Sequence, residues 1–345
     1  MDSSPLRRAI TALAQRQSLP ESLTAEVFGV VMSGEATPAQ VAALLMGLRA
    51  KGETAEEVAG AARALREAMV TVTATGPNLV DTCGTGGGTV STFNISTVAA
   101  FVAAGAGATV PKHGNRSYTS KCGSADVLEA LGVRIVLDAA AATRVLNEAR
   151  VAFLFAPSFH PAMKHVAPVR RELGVPSIMN LVGPLANPAS VRRQVIGVAD
   201  RAWGAVLAEA LVRLGAEHAM VVHGRVGMDE ISPLGITDVW EVRDGGVRAW
   251  EIDPERYRLG IADAEVLKGG DPAQNAERLE RLLGNGNGDA AGLAAVLLNA
   301  GAAIYVAGIA GSLAEGIGRA REVVASGAAR AALDRLRKAT ASISG

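Results

Sequence analysis

Three short runs gather most of the side chains in this sequence that could do chemistry. The first is VDTCGTGGGTVSTFNIST, residues 80–97. A strand-like stretch ends at Cys83. Gly84, Gly86, Gly87 and Gly88 follow, and a helix opens near Asn94, Ser96 and Thr97. Glycines let backbone N–H groups turn toward an anion with no Cβ in the way. A helix N-terminus adds partial positive charge. The hydroxyls of Thr92, Ser96 and Thr97 and the amide of Asn94 can bond phosphate or a hydrated metal. The run therefore predicts a phosphate-bearing ligand. Its spacing is neither G-x-x-x-x-G-K-[ST] nor G-x-G-x-x-G, which argues against P-loop kinases and Rossmann dehydrogenases. The competing reading is a tight turn with helix caps and no ligand.

The second run is ATVPKHGNRSYTSKCGSAD, residues 108–126. Lys112, His113, Asn115, Arg116, Ser117, Thr119, Ser120 and Lys121 crowd one loop after a strand-like stretch, and Ser124 leads into a helix. Loops at strand ends of an α/β sheet are where ligands bind. Lys and Arg can neutralise a pyrophosphate; a solvated surface loop is the alternative. The third run, AMVVHGRVGMDE, carries the adjacent carboxylates Asp229 and Glu230. Such oxygen donors suit hard cations. An adjacent acidic pair is more often surface decoration, but this one follows a strand-like stretch.

The elements that must hold these runs change character along the chain. Up to about Val70 the pattern is helical. Ser4-Pro5 opens one helix and Thr24 is expected to open another. Thr37-Pro38 is a third start, and Thr54 with Glu57 makes a capping box. TATGPN, Thr73 to Asn78, marks a boundary. Beyond it, strand-like NLVDTC, ATVPK, VRIVL, VAFLF, QVIGV and AMVVHG alternate with Ala-rich helical stretches. That alternation predicts a mostly parallel sheet flanked by helices. The expected fold class is α/β: a small all-helical domain, 1–72 with a returning segment near 169–191, and a large α/β domain, 73–345. GNGNGD near Asn285 reads as an exposed loop, and the sequence holds no internal repeat.

Composition narrows the function classes. The 345 residues are 49% hydrophobic but only 3% aromatic, so aliphatic residues and Ala must fill the core. Thirty-four basic residues balance 34 acidic ones. A dedicated nucleic-acid binder shows a basic excess, so none is expected. Cys83 and Cys122 are far apart and read as reduced thiols. The start carries no apolar signal region, and no stretch is apolar for the ~20 residues of a membrane span, so the cytoplasm is expected.

Together the glycine turn and the KHGNR loop resemble the anthranilate phosphoribosyltransferases, within the nucleoside-phosphorylase-like phosphoribosyltransferases. Three more segments are similar in the right order: Phe155 to Pro188, Val221 to Gly235, and Leu297 to Gly308. The resemblance covers most of the chain after about Leu23. It implies that Gly84, Gly87, Gly88, Thr92, Asn94, Ser96, Thr97, Lys112, Asn115, Arg116, Ser117, Thr119, Ser120 and Ser124 hold phosphoribosyl pyrophosphate (PRPP). It implies that Gly84, His113, Asn115, Arg170 and Pro184 meet anthranilate. Ser96, Asp229 and Glu230 would bind two Mg2+ ions, and the protein would be a homodimer joined through the helical domain. No residue is implied as a general acid or base. One departure stands out: Gly88 occupies the place of an aspartate that usually follows GTGG. The rival readings are a pyrimidine nucleoside phosphorylase and a non-catalytic nucleic-acid-binding relative.

Overall fold

The computed structural model describes residues 4–117, 121–284 and 286–343. Four helices come first: α1 (Pro5–Ala14), α2 (Glu21–Ser33), α3 (Pro38–Lys51) and α4 (Ala55–Glu67). Their starts follow from local chemistry. The Ser4 hydroxyl accepts from Arg7 N–H at the start of α1. Thr37 with Gln40 and Thr54 with Glu57 form complete capping boxes on α3 and α4. Each such cap stabilises its helix by about 0.5–2 kcal/mol. Thr24 does not open α2. The helix starts three residues earlier behind Pro20, and the Thr24 hydroxyl donates back to the Pro20 carbonyl at 3.0 Å. Glu21 in the first turn complements the helix dipole there.

The alternating part follows as β1 (Asp81–Gly84), α5 (Ile95–Gly105), β2 (Val110–Gly114), α6 (Ser124–Ala130), α7 (Ala139–Ala149) and β3 (Val151–Phe155). Next come α8 (Ala156–Phe159), α9 (Ala167–Leu173), α10 (Ile178–Leu185), β4 (Arg193–Gly197), α11 (Trp203–Arg213) and β5 (His218–Gly224). A hairpin, β6 (Thr237–Arg243) and β7 (Gly246–Ile252), precedes α12 (Pro272–Gly284), α13 (Ala290–Val306), α14 (Leu313–Ala325) and α15 (Ala328–Ala341).

One sheet has the order β1-β4-β5-β6-β7, with β1, β4 and β5 parallel and the last two pairings antiparallel. β2 and β3 pair in parallel beside it. A Leu79–Thr109 bridge joins the chain entering β1 to the chain entering β2. The C-terminal ends of β1 and β2 thus carry the glycine turn and the KHGNR loop side by side. Asp244 and Gly245 close the hairpin with φ of 53° and 75°, the geometry of a two-residue type I′ turn.

VRIVL is not a strand. Val133, Ile135 and Leu137 are buried while Val136 is exposed, so the side-chain alternation is real. Among the described residues no strand lies beside it. The Arg134 N–H instead donates to the Thr340 hydroxyl of α15.

Two cores form. One packs α5 between β1–β3 and the C-terminal helices α12–α15. The other joins α1–α4 to α9, α10, α11 and the opposite faces of β4 and β5. Val98, Phe101 and Val102 of α5 are at most 1% exposed. Each such side chain contributes roughly 1.5–3 kcal/mol by burial. No helix of the described residues is long and apolar enough to cross a membrane.

Candidate active site

The glycine turn is built by backbone geometry that only glycine adopts readily. Gly86 and Gly87 have φ of +69° and +86°. Turned this way, the Gly86 N–H donates to Asp229 Oδ2 at 3.0 Å. The Thr85 N–H donates to the Gly197 carbonyl at the end of β4, and the Thr89 N–H to the Gly227 carbonyl, both at 2.9 Å. A Cβ on Gly84 would lie 2.9 Å from Asp229 Oδ2, and one on Gly88 would lie 3.0 Å from Asp229 Oδ1. A side chain at Gly84 would push this carboxylate aside, and one at Gly88 would crowd it.

At the start of α5 the Ser96 N–H donates to Glu230 Oε1 at 3.1 Å. Lys112 rises from β2 underneath. It is 4% exposed, and its ammonium donates to the Thr82 carbonyl and to Ser96 Oγ. Burial pushes the Asp229 carboxyl above the usual range. Burial and then the Asp229 charge push Glu230 up as well, with Lys112 opposing. Two carboxylates, a buried ammonium, a hydroxyl and inward-facing N–H groups thus share one corner. Its electrostatic balance is unfinished: the two acids repel, and a divalent cation would relieve both.

Beside this corner Asp81 is fully buried. It accepts from His113 N–H at 3.2 Å and from Asn187 Nδ2 at 2.8 Å. Asn187 also donates to the Pro111 carbonyl at 2.8 Å. These bonds fix the exit of β2, from which His113 and Asn115 project. His113 Nε2 lies 3.2 Å from His160 Nε2, so one ring donates and the other accepts. Burial, then the nearby His160 and Lys112, lowers His113 to about 3; burial lowers His160 to about 4. Both rings are neutral at pH 7. The Gly183 main chain faces His113 and brings it beside Pro184 of α10. Arg170 on α9 donates to Asn180 Oδ1 of the same helix α10 at 3.3 Å.

Several expected residues are placed differently from the rest. The Thr97 hydroxyl is buried among Ala100, Phe101 and Leu128 with no hydrogen-bond partner among the described residues, so it faces the interior. Arg116 pairs with Asp126 at 2.8 Å and Glu129 at 2.6 Å, a half-exposed arrangement directed back along α6. Asn94 caps α5 with no side-chain bond into the helix. Its amide donates to the Cys122 carbonyl and accepts from Asn275. Ser124 donates to the Asn115 carbonyl, and the Ser117 N–H to Asp126. Thr92 is half-buried. Thr119 and Ser120 lie outside the described residues. Sequence reasoning passed over Asp81, His160 and Asn187. An acid and an amide inside apolar runs were the available signals.

Comparison with known proteins bears on this geometry. Residues 76–330 match the glycosyl transferase family a/b domain, and residues 7–69 match the helical bundle domain of the same family. The chain is 50% identical over 333 residues to the anthranilate phosphoribosyltransferase of Roseiflexus castenholzii, covering 96% of this chain and 97% of that one. This chain belongs to the anthranilate phosphoribosyltransferase family. Two solved family members share its fold throughout. The enzyme of Thermus thermophilus is 44% identical, with a TM-score of 0.90 and coverage of 97% and 99%. The Saccharomyces cerevisiae enzyme, in complex with PRPP and Mg, is 27% identical, with a TM-score of 0.90 and 99% coverage of both chains.

Proposed function

We propose that this protein transfers the 5-phosphoribosyl group of PRPP to the amino nitrogen of anthranilate and releases pyrophosphate, a magnesium-dependent step of tryptophan biosynthesis. The observation that carries the reading is the corner where Asp229 accepts from Gly86 N–H and Glu230 from Ser96 N–H, above the buried Lys112. A family relative has been solved with PRPP and Mg, the ligands such a corner suits.

The donor set fits Mg2+. That ion takes oxygen ligands, often one or two carboxylates plus substrate phosphates. Asp229, Glu230 and the Ser96 hydroxyl would hold it, and we assign two ions to this set together with the pyrophosphate. When bound, Mg2+ neutralises charge that develops on the departing pyrophosphate. The chain's own donors act on the same charge. The N-terminus of α5 faces this corner, and Lys112 adds a fixed ammonium. Gly84, Gly88, Thr92, Asn94, Asn115, Ser117 and Ser124 border this corner or the adjoining loop and complete the proposed PRPP site.

Anthranilate is assigned to the side formed by Asn115, His113, Pro184 and Arg170. A guanidinium can grip its carboxylate with two hydrogen bonds. The attacking amine is an aniline, neutral at pH 7, so no general base has to make it nucleophilic. The neutral His113–His160 pair matches that requirement: it shapes and desolvates the pocket without adding charge. The C1–O bond to pyrophosphate breaks, the C1–N bond forms, and the amine then loses a proton. Positioning and electrostatics thus supply the rate.

The same reading divides the chain at 1–72 and 73–345, with 169–191 returning to the helical unit, and places a homodimer in the cytoplasm. Loss of anthranilate fluorescence with PRPP, titrated with Mg2+, tests the function. The expected result is Mg2+-dependent loss with one pyrophosphate released per anthranilate. Folded protein that consumes no anthranilate at any Mg2+ concentration, or that phosphorolyses thymidine or uridine instead, would overturn it.

A further inference from the structure

We infer that Asn299 of α13 is the positioning residue that sets the carboxylate pair, an inference that rests on reading Asp229 and Glu230 as the metal ligands. Asn299 is 2% exposed and touches no reacting group. Its Oδ1 accepts from the Ile231 N–H at 2.9 Å, and its Nδ2 donates to the Ile231 carbonyl at 2.9 Å. The second hydrogen of Nδ2 goes to the Ala295 carbonyl one turn back on α13, again at 2.9 Å. Both amide hydrogens and the oxygen are therefore engaged, and the side chain has one satisfied orientation.

The geometry explains why an amide stands here. A side-chain amide offers a donor and an acceptor in the arrangement of a peptide group. It pairs with both polar groups of one residue, as a neighbouring strand would. Ile231 is fully buried and leaves β5 seven residues behind, so no strand serves it. Without Asn299 its N–H and carbonyl would be buried and unpaired, and the segment would shift to satisfy them.

Ile231 directly follows Asp229 and Glu230. Upstream, the Asp229 main chain is wedged against Gly197: a Cβ on Gly197 would stand 1.7 Å from the Asp229 carbonyl oxygen. Gly197 therefore bounds the pair from the sheet, and Asn299 holds it from the helix layer. The side-chain bonds of Asp229 to Gly86 and of Glu230 to Ser96 depend on both supports. Glu230 and Asn299 also line one small cavity with Thr82, Cys83 and Ser96.

Asn299→Leu keeps the volume and removes all three bonds. Asn299→Asp keeps an acceptor for the Ile231 N–H and cannot donate to its carbonyl. Leu297→Ala, a buried change on the same helix, controls for lost stability. Three readouts decide: Mn2+ bound in the presence of pyrophosphate, followed by the electron paramagnetic resonance of free Mn2+; hydrogen exchange of peptides spanning 228–234 in metal-free protein; and steady-state kinetics. The Leu and Asp variants are expected to weaken Mn2+ binding about 10–100-fold, to raise the KM for PRPP by a similar factor, and to leave the KM for anthranilate within about twofold. Exchange at 228–234 accelerates while α5 keeps its protection. The Leu297→Ala protein keeps wild-type Mn2+ affinity. Mn2+ affinity unchanged in the Asn299 variants, or Mn2+ affinity lost to the same degree in Leu297→Ala, overturns the inference. If Asn299→Leu does not fold, the Asp variant carries the same comparison. Wild-type protein that binds Mn2+ with pyrophosphate but consumes no anthranilate would overturn the proposed reaction alone, and the variants' Mn2+ affinities would still judge Asn299.

Discussion

Replacing Gly197 with alanine should cripple the enzyme through a residue that touches no substrate. The new methyl would point at the Asp229 carbonyl oxygen from 1.7 Å. A carbon–oxygen contact needs about 3.3 Å, so the Asp229 main chain must retreat by roughly 1.5 Å. The neighbour in the way is backbone, and no side-chain rotation can yield. Overpacking of this kind costs about 1–3 kcal/mol, and at about 2–4 °C per kcal/mol the melting temperature should fall by roughly 2–12 °C. The protein should therefore still fold. Catalysis should suffer more, because a misplacement of about 1 Å costs on the order of 100-fold. The expected result is kcat/KM for PRPP down by about 100-fold, a raised Mg2+ requirement, and an anthranilate KM close to wild type. The assay is the fluorescence decrease with Mg2+ varied, next to a thermal melt. A folded Gly197→Ala enzyme with wild-type kinetics and Mg2+ dependence would refute the claim that this contact positions Asp229.

Other perturbations separate the remaining parts. Arg170→Ala should raise the KM for anthranilate by about 10–100-fold, the loss of a charge-assisted pair, and leave that for PRPP within about twofold; equal effects on both would remove the carboxylate assignment. His113 and His160 have folded pKa values below the unfolded value, so the unfolded chain binds more protons at mildly acid pH. Their contribution to stability is complete above about 6.5 and is lost as pH falls from there toward 4 and 3. Thermal melts from pH 7.5 to 4.5 should show that decline, and His160→Gln should flatten it; an unaltered slope would contradict the neutral pair. Glu241 accepts from Tyr305 and Trp250 and pairs with His218, all at the end of β5 away from Asp229. Glu241→Ala should cost about 2–4 kcal/mol in urea unfolding by stranding these groups, with kinetic constants unchanged. A shifted Mg2+ requirement would show that this end of the sheet reaches the site.

What the sequence disclosed was local. The helix starts at Thr37-Pro38 and at the Thr54 capping box are decided within four residues, and both formed; the box that Gln40 completes at Thr37 went unread. The glycine turn was legible because Gly86 and Gly87 in left-handed conformation leave a compositional trace. VRIVL has the alternation of a strand but lacks a neighbour, and a neighbour cannot be seen in one segment. The β6–β7 hairpin went unread although Asp244-Gly245 is a strong turn signal. The expectation for Arg116 weighed its charge and missed Asp126 and Glu129, in the first and second turns of α6. Thr97 lies on the same helix as Ser96, but one residue turns a side chain by about 100°, and Thr97 faces the core. Asn299 and Gly197 act across more than thirty residues of intervening chain, where spacing carries no information.

The burial of α5 has a consequence for how the chain is made. Nearly every residue from Ile95 to Ala104 is covered, and much of the cover is α13 and α15. Those helices lie about two hundred residues downstream. At the ribosome's rate of about 5–20 residues per second, an apolar helix waits roughly 10–40 s for its partners. Throughout that interval the glycine turn exists but Ile231, once made, has no amide to hold it. The nascent protein can own every proposed ligand of its substrate and still be unable to arrange them, so assembly of the site is among the last events of synthesis.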